Sequence, residues 1–153
     1  MTDGRADLLQ WEGRLLSAMN SAEAFAAVAL AAVACDGVMG HDEARALRGH
    51  LECRVPFSGN SEESMGRLFD GLLVRLRREG WRALIHSAMP VLSAPQRETS
   101  LAMAAQLVHC DRVVTPQELE LLNEMAALTD LPADRAALIL DVIAVLNRDC
   151  LAG

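Results

Sequence analysis

Residues Ala24–Arg48 read AFAAVALAAVACDGVMGHDEARALR, and this stretch decides the fold of the chain. Its first half is a run of small apolar side chains that ends at Cys35. A short loop begins at Asp36, and a new helix begins close to Glu43. An Ala-rich helix that is apolar nearly all round is typical of the middle of a helical bundle. The stretch therefore predicts a helix–loop–helix unit whose first helix lies in the core.

The same pattern recurs in the second half of the chain, where the apolar run Leu101–Val108 is followed by a loop from His109 and a helix begins at Pro116. We interpret this as an internal duplication of the unit, with copies at about 22–53 and 95–128. The matched pairs are Cys35 with Cys110, Asp36 with Asp111, Val38 with Val113, Glu43 with Glu118, and Leu47 with Leu122.

The chain of 153 residues is 52% hydrophobic and rich in Leu and Ala. This length suits one domain, predicted over residues 1–153. The composition favours helix, and no segment alternates with period two for long enough to predict a strand. We expect an all-α fold, a compact bundle of seven or eight helices. The predicted helices are at about 3–19, 22–35, 41–53, 62–79, 81–92, 95–110, 116–128 and 133–147.

The charge and hydropathy of the sequence argue against nucleic-acid binding and against a membrane-spanning segment. There are 21 acidic and 14 basic residues, a formal net charge of −7, which argues against nucleic acid as a partner. The longest apolar run, residues 24–35, is too short for a membrane span, which needs about 20 residues. The amino end is polar and acidic rather than typical of a signal peptide. We therefore expect a cytoplasmic protein.

Enzyme motifs are missing from the sequence: it has no G-x-S-x-G, no P-loop and no G-x-G-x-x-G, so we expect a protein without enzyme activity. The sequence also contains four cysteines, and no two of them form a C-x-x-C pair, which argues against a zinc knuckle. Because Cys35, Cys110 and Cys150 lie in or beside apolar runs, they are expected to be buried reduced thiols, with Cys53 less certain.

The paired loops resemble those of the TerB (tellurite resistance protein B) family. The residues that carry the resemblance are the Cys-Asp-Gly-Val and Glu motif within Val33–Glu43, its second copy within Val108–Glu118, and the closing turn Leu128–Asp134. The likeness extends over about residues 10–150. Two departures are clear: Arg112 stands where the motif has Gly, and His41-Asp42 replaces the usual Pro-Glu type of helix start.

The resemblance implies an all-helical protein of the bacterial cytoplasm with a role in resistance to tellurite and related stress. It implies a non-enzymatic interaction or scaffold module, which works with other resistance-system proteins. One implied partner is membrane-embedded, and this would place the protein at the inner face of the membrane.

The acidic residues of the two loops are the candidate site: Asp36, Glu43, Asp111 and Glu118, with Asp42 as a weaker candidate. One interpretation is structural, because Glu at the third position of a helix bonds back to the N-cap amide, and Asp after a helix bonds loop amides. The other is a divalent cation (Ca²⁺, Mg²⁺ or Zn²⁺) shared between loops that meet at one end of the bundle. One loop by itself fails the EF-hand pattern, since positions 38 and 40 are Val and Gly.

Two further hypotheses stay open. The alternative function is a metal- or thiol-dependent activity on a tellurium or related oxyanion, for which Cys35 and Cys110 are the candidate thiols. The arginines of the long fourth helix, with one just beyond it, fall at spacings of eight, three and four residues and are expected to share one stripe. This stripe is a candidate docking patch for an acidic partner, although a solvated helix face explains it as well. These arginines are Arg67, Arg75, Arg78 and Arg82.

Overall fold

The computed structural model describes residues 19–35, 39–110 and 113–153. These residues form seven α-helices and no β-strand, which confirms the predicted all-α fold. The predicted helix over 3–19 lies outside the described residues except for Met19. The helices are α1 (Ser21–Ala34), α2 (His41–Glu52), α3 (Glu62–Glu79), α4 (Trp81–Ala88), α5 (Ala94–His109), α6 (Pro116–Leu128) and α7 (Ala133–Leu146).

Side-chain caps set where several of these helices begin. The Asn20 side chain accepts a hydrogen bond from the Glu23 amide at 2.8 Å, so Asn20 caps α1. Ser61 caps α3 and Thr115 caps α6 in the same way. Each cap satisfies a backbone amide that has no partner inside its helix.

Helix α1 lies at the centre of the bundle. It packs most extensively against α5 and α4, and also touches α2, α3 and α6. Nine of its fourteen residues are buried, and seven of these nine are alanines, from Ala24 to Ala34. Small side chains let neighbouring helices approach closely, so one short helix contacts five others here. The central position of α1 is the one that its apolar sequence predicts.

Helices α1, α5 and α7 run in the same direction. The first turns of α1 and α5 line one cleft, and the two helices pack extensively, so they are roughly parallel. Arg135 near the start of α7 bonds to Glu98 near the start of α5 at 2.8 Å. Asn147, at the end of α7, donates to Gln106 of α5 at 2.7 Å. Helices α1 and α5 therefore end at the same end of the bundle.

Gly80 separates α3 from α4. Its backbone has φ +87° and ψ 161°, a conformation that side-chain-bearing residues rarely adopt. The chain changes direction here, and Trp81 begins a new helix whose buried residues include Leu84 and Ile85. A short 3₁₀ turn, Met89–Val91, then leads to α5. The expected helix at 81–92 is thus an α-helix that ends at Ala88 and continues as this turn.

Candidate functional site

The two helix starts that follow the acidic loops have the same local geometry. The backbone amide of Gly40 donates to Glu43 Oε2 at 3.0 Å, at the start of α2. The amide of Thr115 donates to Glu118 Oε1 at 3.1 Å, at the start of α6. In the second copy the bond is reciprocal, because the Glu118 amide donates to Thr115 Oγ1 at 3.2 Å. Gly40 has no side chain to complete the pair.

These bonds give both glutamates a structural role. Each carboxylate satisfies an N-cap amide and lies at the positive end of a helix dipole. Asp42 lies exposed in the first turn of α2 and also favours that dipole. Asp36 and Asp111, the other two candidate ligands, lie outside the described residues. Among residues 19–35, 39–110 and 113–153, no three His, Cys, Asp or Glu side chains group in a way that would hold a metal ion.

The cysteines lie closer to the surface than the sequence indicates. Cys35 is partly buried, while Cys53, Cys110 and Cys150 are exposed. The expectation of buried thiols is therefore wrong for Cys110 and Cys150. The physical reason is their position: Cys35, Cys53 and Cys110 are the residues at which α1, α2 and α5 end, where the chain leaves the core. Because α1 and α5 are parallel, Cys35 and Cys110 lie at the same end of the bundle.

The four candidate arginines do not form one continuous stripe. Gly80 ends α3, so Arg82 lies on a different helix from Arg67, Arg75 and Arg78. Arg75 is mostly covered and bonds to Glu79 at 2.9 Å within α3. Arg67 and Arg78 are exposed. The spacing of eight, three and four residues along the sequence would make one stripe only if the helix continued through residue 80.

Arg82 belongs instead to a polar cluster that joins α4 to α6. Its guanidinium contacts the carboxylate of Glu120 and lies 3.7 Å from that of Glu124. His86 Nε2 lies 2.8 Å from Glu124 Oε1. The hydrogen bond from His86, with the positive charge of Arg82 nearby, holds the pKa of Glu124 below its usual value. Arg82 also lies over the Trp81 ring, 4.6 Å from its centroid.

Helix α7 presents an apolar face to solvent. Within this helix Ala136 is buried, and Ile139, Leu140 and Ile143 are partly buried against the core. The opposite side carries large exposed apolar side chains, each more than half accessible, at spacings of three and four residues. They are Leu138 and Val142 at 54%, Val145 at 54% and Leu146 at 68%.

The spacing of Leu138, Val142 and Leu146 in the sequence indicates that they share one side of a helix, but it does not show that this side is exposed. A helix that is apolar on all sides is normally covered on all sides. Helix α7 is the last in the chain and packs mainly on α5 and α6. The signal in the sequence is the lack of a polar face: Asp141 is the one charged residue between Ala136 and Leu146. We name the four exposed side chains the α7 face.

None of the described helices is both long and apolar enough to cross a membrane. This agrees with the length of the apolar runs in the sequence.

Comparison with models of protein families finds no match to this chain, and comparisons with curated proteins and with solved structures find none either. The resemblance to the TerB family therefore stays a prediction that depends on the loop residues themselves.

Proposed function

We propose that this protein is a non-enzymatic interaction module, in the manner that its resemblance to the TerB family implies. The observation that supports this proposal is the α7 face. Single exposed apolar residues are common on soluble proteins, but a contiguous apolar patch is typical of an interaction site. Four such side chains on successive turns of one helix make a contiguous patch.

The strength of binding follows from the exposed area. Each side chain of the α7 face is about half accessible, and full burial of Val or Leu is worth about 1.5–3 kcal/mol. Covering the remaining half of each gives roughly 1 kcal/mol per side chain, or about 4 kcal/mol for the four. After the entropic cost of association, this area by itself supports a weak complex, so the partner must add further contacts.

The negative charges beside the α7 face indicate the chemistry of the partner. Asp141 lies on the exposed side of α7 beside Leu138 and Val145, and Asp134 lies one turn before Leu138. The whole protein carries a net charge of −7. An amphipathic helix with apolar residues on one side and Lys or Arg beside them would match both features. Cytoplasmic segments of membrane proteins are rich in Lys and Arg, so such a helix could come from the membrane-embedded partner that the resemblance implies.

The test uses a defined probe. An 18-residue peptide with Leu at helical spacing and Lys elsewhere is labelled and titrated with the protein, with fluorescence anisotropy as the readout. Leu138→Gln combined with Val142→Gln should weaken binding about 30-fold, the equivalent of the roughly 2 kcal/mol that the two side chains contribute. Val74→Gln, at an exposed valine on α3, is the matched control and should bind as the wild type does.

Two results would count against the proposal. One is equal binding by the wild type and by the double variant, which would place the peptide elsewhere. The other is equal binding of a peptide with Glu in place of Lys, because the acidic residues beside the α7 face should repel it.

A cation at the acidic loops is a second candidate function, supported by the parallel packing of α1 and α5. Because these helices end together, Cys35 and Cys110, which directly precede Asp36 and Asp111 in the sequence, lie at the same end of the bundle. Calorimetric titration of chelator-treated protein with Ca²⁺, Mg²⁺, Mn²⁺ and Zn²⁺ tests it. Saturable binding that disappears in Asp36→Asn combined with Asp111→Asn would support a shared site, and no binding in the wild type would exclude one.

The activity on an oxyanion is favoured by one observation, the exposure of the Cys110 thiol. Purified protein should then consume tellurite, and Cys35→Ala combined with Cys110→Ala should abolish that consumption. Unchanged consumption in the double variant would remove the thiols from the mechanism.

A further inference from the structure

A cleft of about 220 Å³ lies at the end of the bundle where α1 and α5 begin. This is the opposite end from Cys35 and Cys110, and it is separate from the α7 face. The first turns of α1 and α5 form two of its sides, and the loop between α2 and α3 forms another. The inference drawn from this cleft is independent of the proposed function, because it uses none of the same residues.

The floor of the cleft is apolar. Phe57 and Leu92 are both about 2% accessible and belong to the core. Phe25 is partly buried, and its ring lies 6.4 Å from that of Phe57, centroid to centroid. Ligand sites typically combine an apolar lining of this kind with a few polar groups that fix orientation.

The polar groups of the cleft favour an anion. Arg54 is the one charged side chain among the described residues that line it, although acids outnumber bases in the whole chain. Arg54 is exposed, and within the described part of the chain its guanidinium forms no ion pair. Ser21 and Gln96 come from the first turns of α1 and α5, whose dipoles add positive potential. Glu23 is also in the first turn of α1, but its carboxylate faces the Asn20 amide.

We propose that this cleft binds a short amphipathic carboxylate, with the carboxylate at Arg54 and the apolar chain against Phe25, Phe57 and Leu92. A guanidinium matches a carboxylate through two parallel hydrogen bonds. The volume equals that of about seven water molecules, at roughly 30 Å³ each, so a ligand of about eight heavy atoms fits.

Hexanoate is the probe, with 1-hexanol and hexylammonium as chain-matched compounds of different charge. We titrate each into full-length, isotope-labelled protein and follow amide chemical shifts by NMR. Hexanoate should bind saturably with a Kd in the millimolar range, and the amides of Ala22, Gln96 and Thr99 should shift most. Hexanol should bind at least about fivefold more weakly, because it cannot form a charge-assisted bond. Hexylammonium should bind more weakly still.

Three variants assign the contacts. Arg54→Gln should weaken hexanoate binding at least about fivefold and leave hexanol binding unchanged. Arg45→Gln, at an exposed arginine of α2 that does not line the cleft, makes the same change in net charge and should bind hexanoate as the wild type does. Ala22→Phe places a ring at the wall of the cleft and should block all three compounds.

The proposal is overturned by any of three results. These are no saturable shift with hexanoate, equal affinity for hexanoate and hexylammonium, and equal weakening by Arg54→Gln and Arg45→Gln. The far-ultraviolet circular dichroism of each variant shows that it is folded. Since Arg54 and Arg45 are both exposed, neither change removes a core contact.

Discussion

Substitutions of Glu118 at the start of α6 can distinguish its structural role, as a hydrogen-bond acceptor, from a role as a charged ligand. Its carboxylate accepts the Thr115 amide at 3.1 Å, and its own amide donates to the Thr115 hydroxyl at 3.2 Å. Gln at position 118 can still accept the first bond, because the capping box accepts Glu or Gln. Ala at position 118 cannot. Glu118→Gln therefore removes only the negative charge, whereas Glu118→Ala removes both the charge and the hydrogen bond.

The expected free energies follow from these contacts. Glu118→Ala loses one exposed hydrogen bond, worth about 0.5–1 kcal/mol, and a favourable charge at the helix start, worth about 0.3–0.5 kcal/mol. Its cost in the free energy of unfolding is thus about 1 kcal/mol. Glu118→Gln loses the charge and keeps the bond, so its cost is about 0.3–0.5 kcal/mol. Thr115→Ala, which removes the reciprocal bond, should cost about 1 kcal/mol.

Urea unfolding followed by circular dichroism, in buffer with a chelator, measures these differences. For a chain of this size, about 1 kcal/mol also lowers Tm by roughly 2–4 °C. Gln117→Ala is the control, since Gln117 is exposed in the same turn. Equal destabilisation by Glu118→Gln and Glu118→Ala would refute the reasoning, because it would mean that the carboxylate charge matters and the hydrogen bond does not.

Three further predictions concern the rest of the fold. Gly80→Ala should lower the free energy of unfolding by about 1–3 kcal/mol in a denaturant titration, because φ there is +87°; an unchanged midpoint would contradict this. The hydrogen bond from Arg135 lowers the pKa of Glu98 in the folded protein. The ion pair therefore stabilises the fold at any pH above the pKa of Glu98 in the unfolded chain. This stabilisation is lost as the pH falls through the lower pKa of Glu98 in the folded protein. Arg135→Ala should raise the pKa of Glu98 measured by NMR, and no rise would show that the pair does not persist in solution. Ser100→Ala should leave stability unchanged or raise it, because the buried Ser100 hydroxyl has no hydrogen-bond partner in the described residues; a loss above about 1 kcal/mol would indicate a bond that this structure lacks.

The order of the helices could be read from the sequence because each limit has a local cause. Thr115 with Glu118 marks the start of α6, and Gly80 marks the end of α3, and both predictions agree with the structure. The apolar run at 24–35 predicts a central helix, since a segment without a polar face must be covered. The internal duplication of the two units stays a prediction.

The candidate site was less accessible to sequence reasoning. The pattern gave Glu43 and Glu118 two possible roles, and the hydrogen bonds to Gly40 and Thr115 support the structural one. Asp36 and Asp111 lie outside the described residues, so the cation site stays a hypothesis. The spacing of the arginines is a one-dimensional pattern, and one positive-φ residue at position 80 was enough to divide it between two helices.

By itself, the sequence determined the all-helical class and most of the helix limits, because these depend on residues within one or two turns of each other. Only the tertiary structure decided which apolar side chains are covered. Leu30 and Leu146 are similar residues in similarly apolar helices, yet the first is fully buried and the second is 68% exposed. The difference arises because α1 is surrounded by other helices whereas α7 packs on one side, and burial depends on contacts between segments that are distant in the chain.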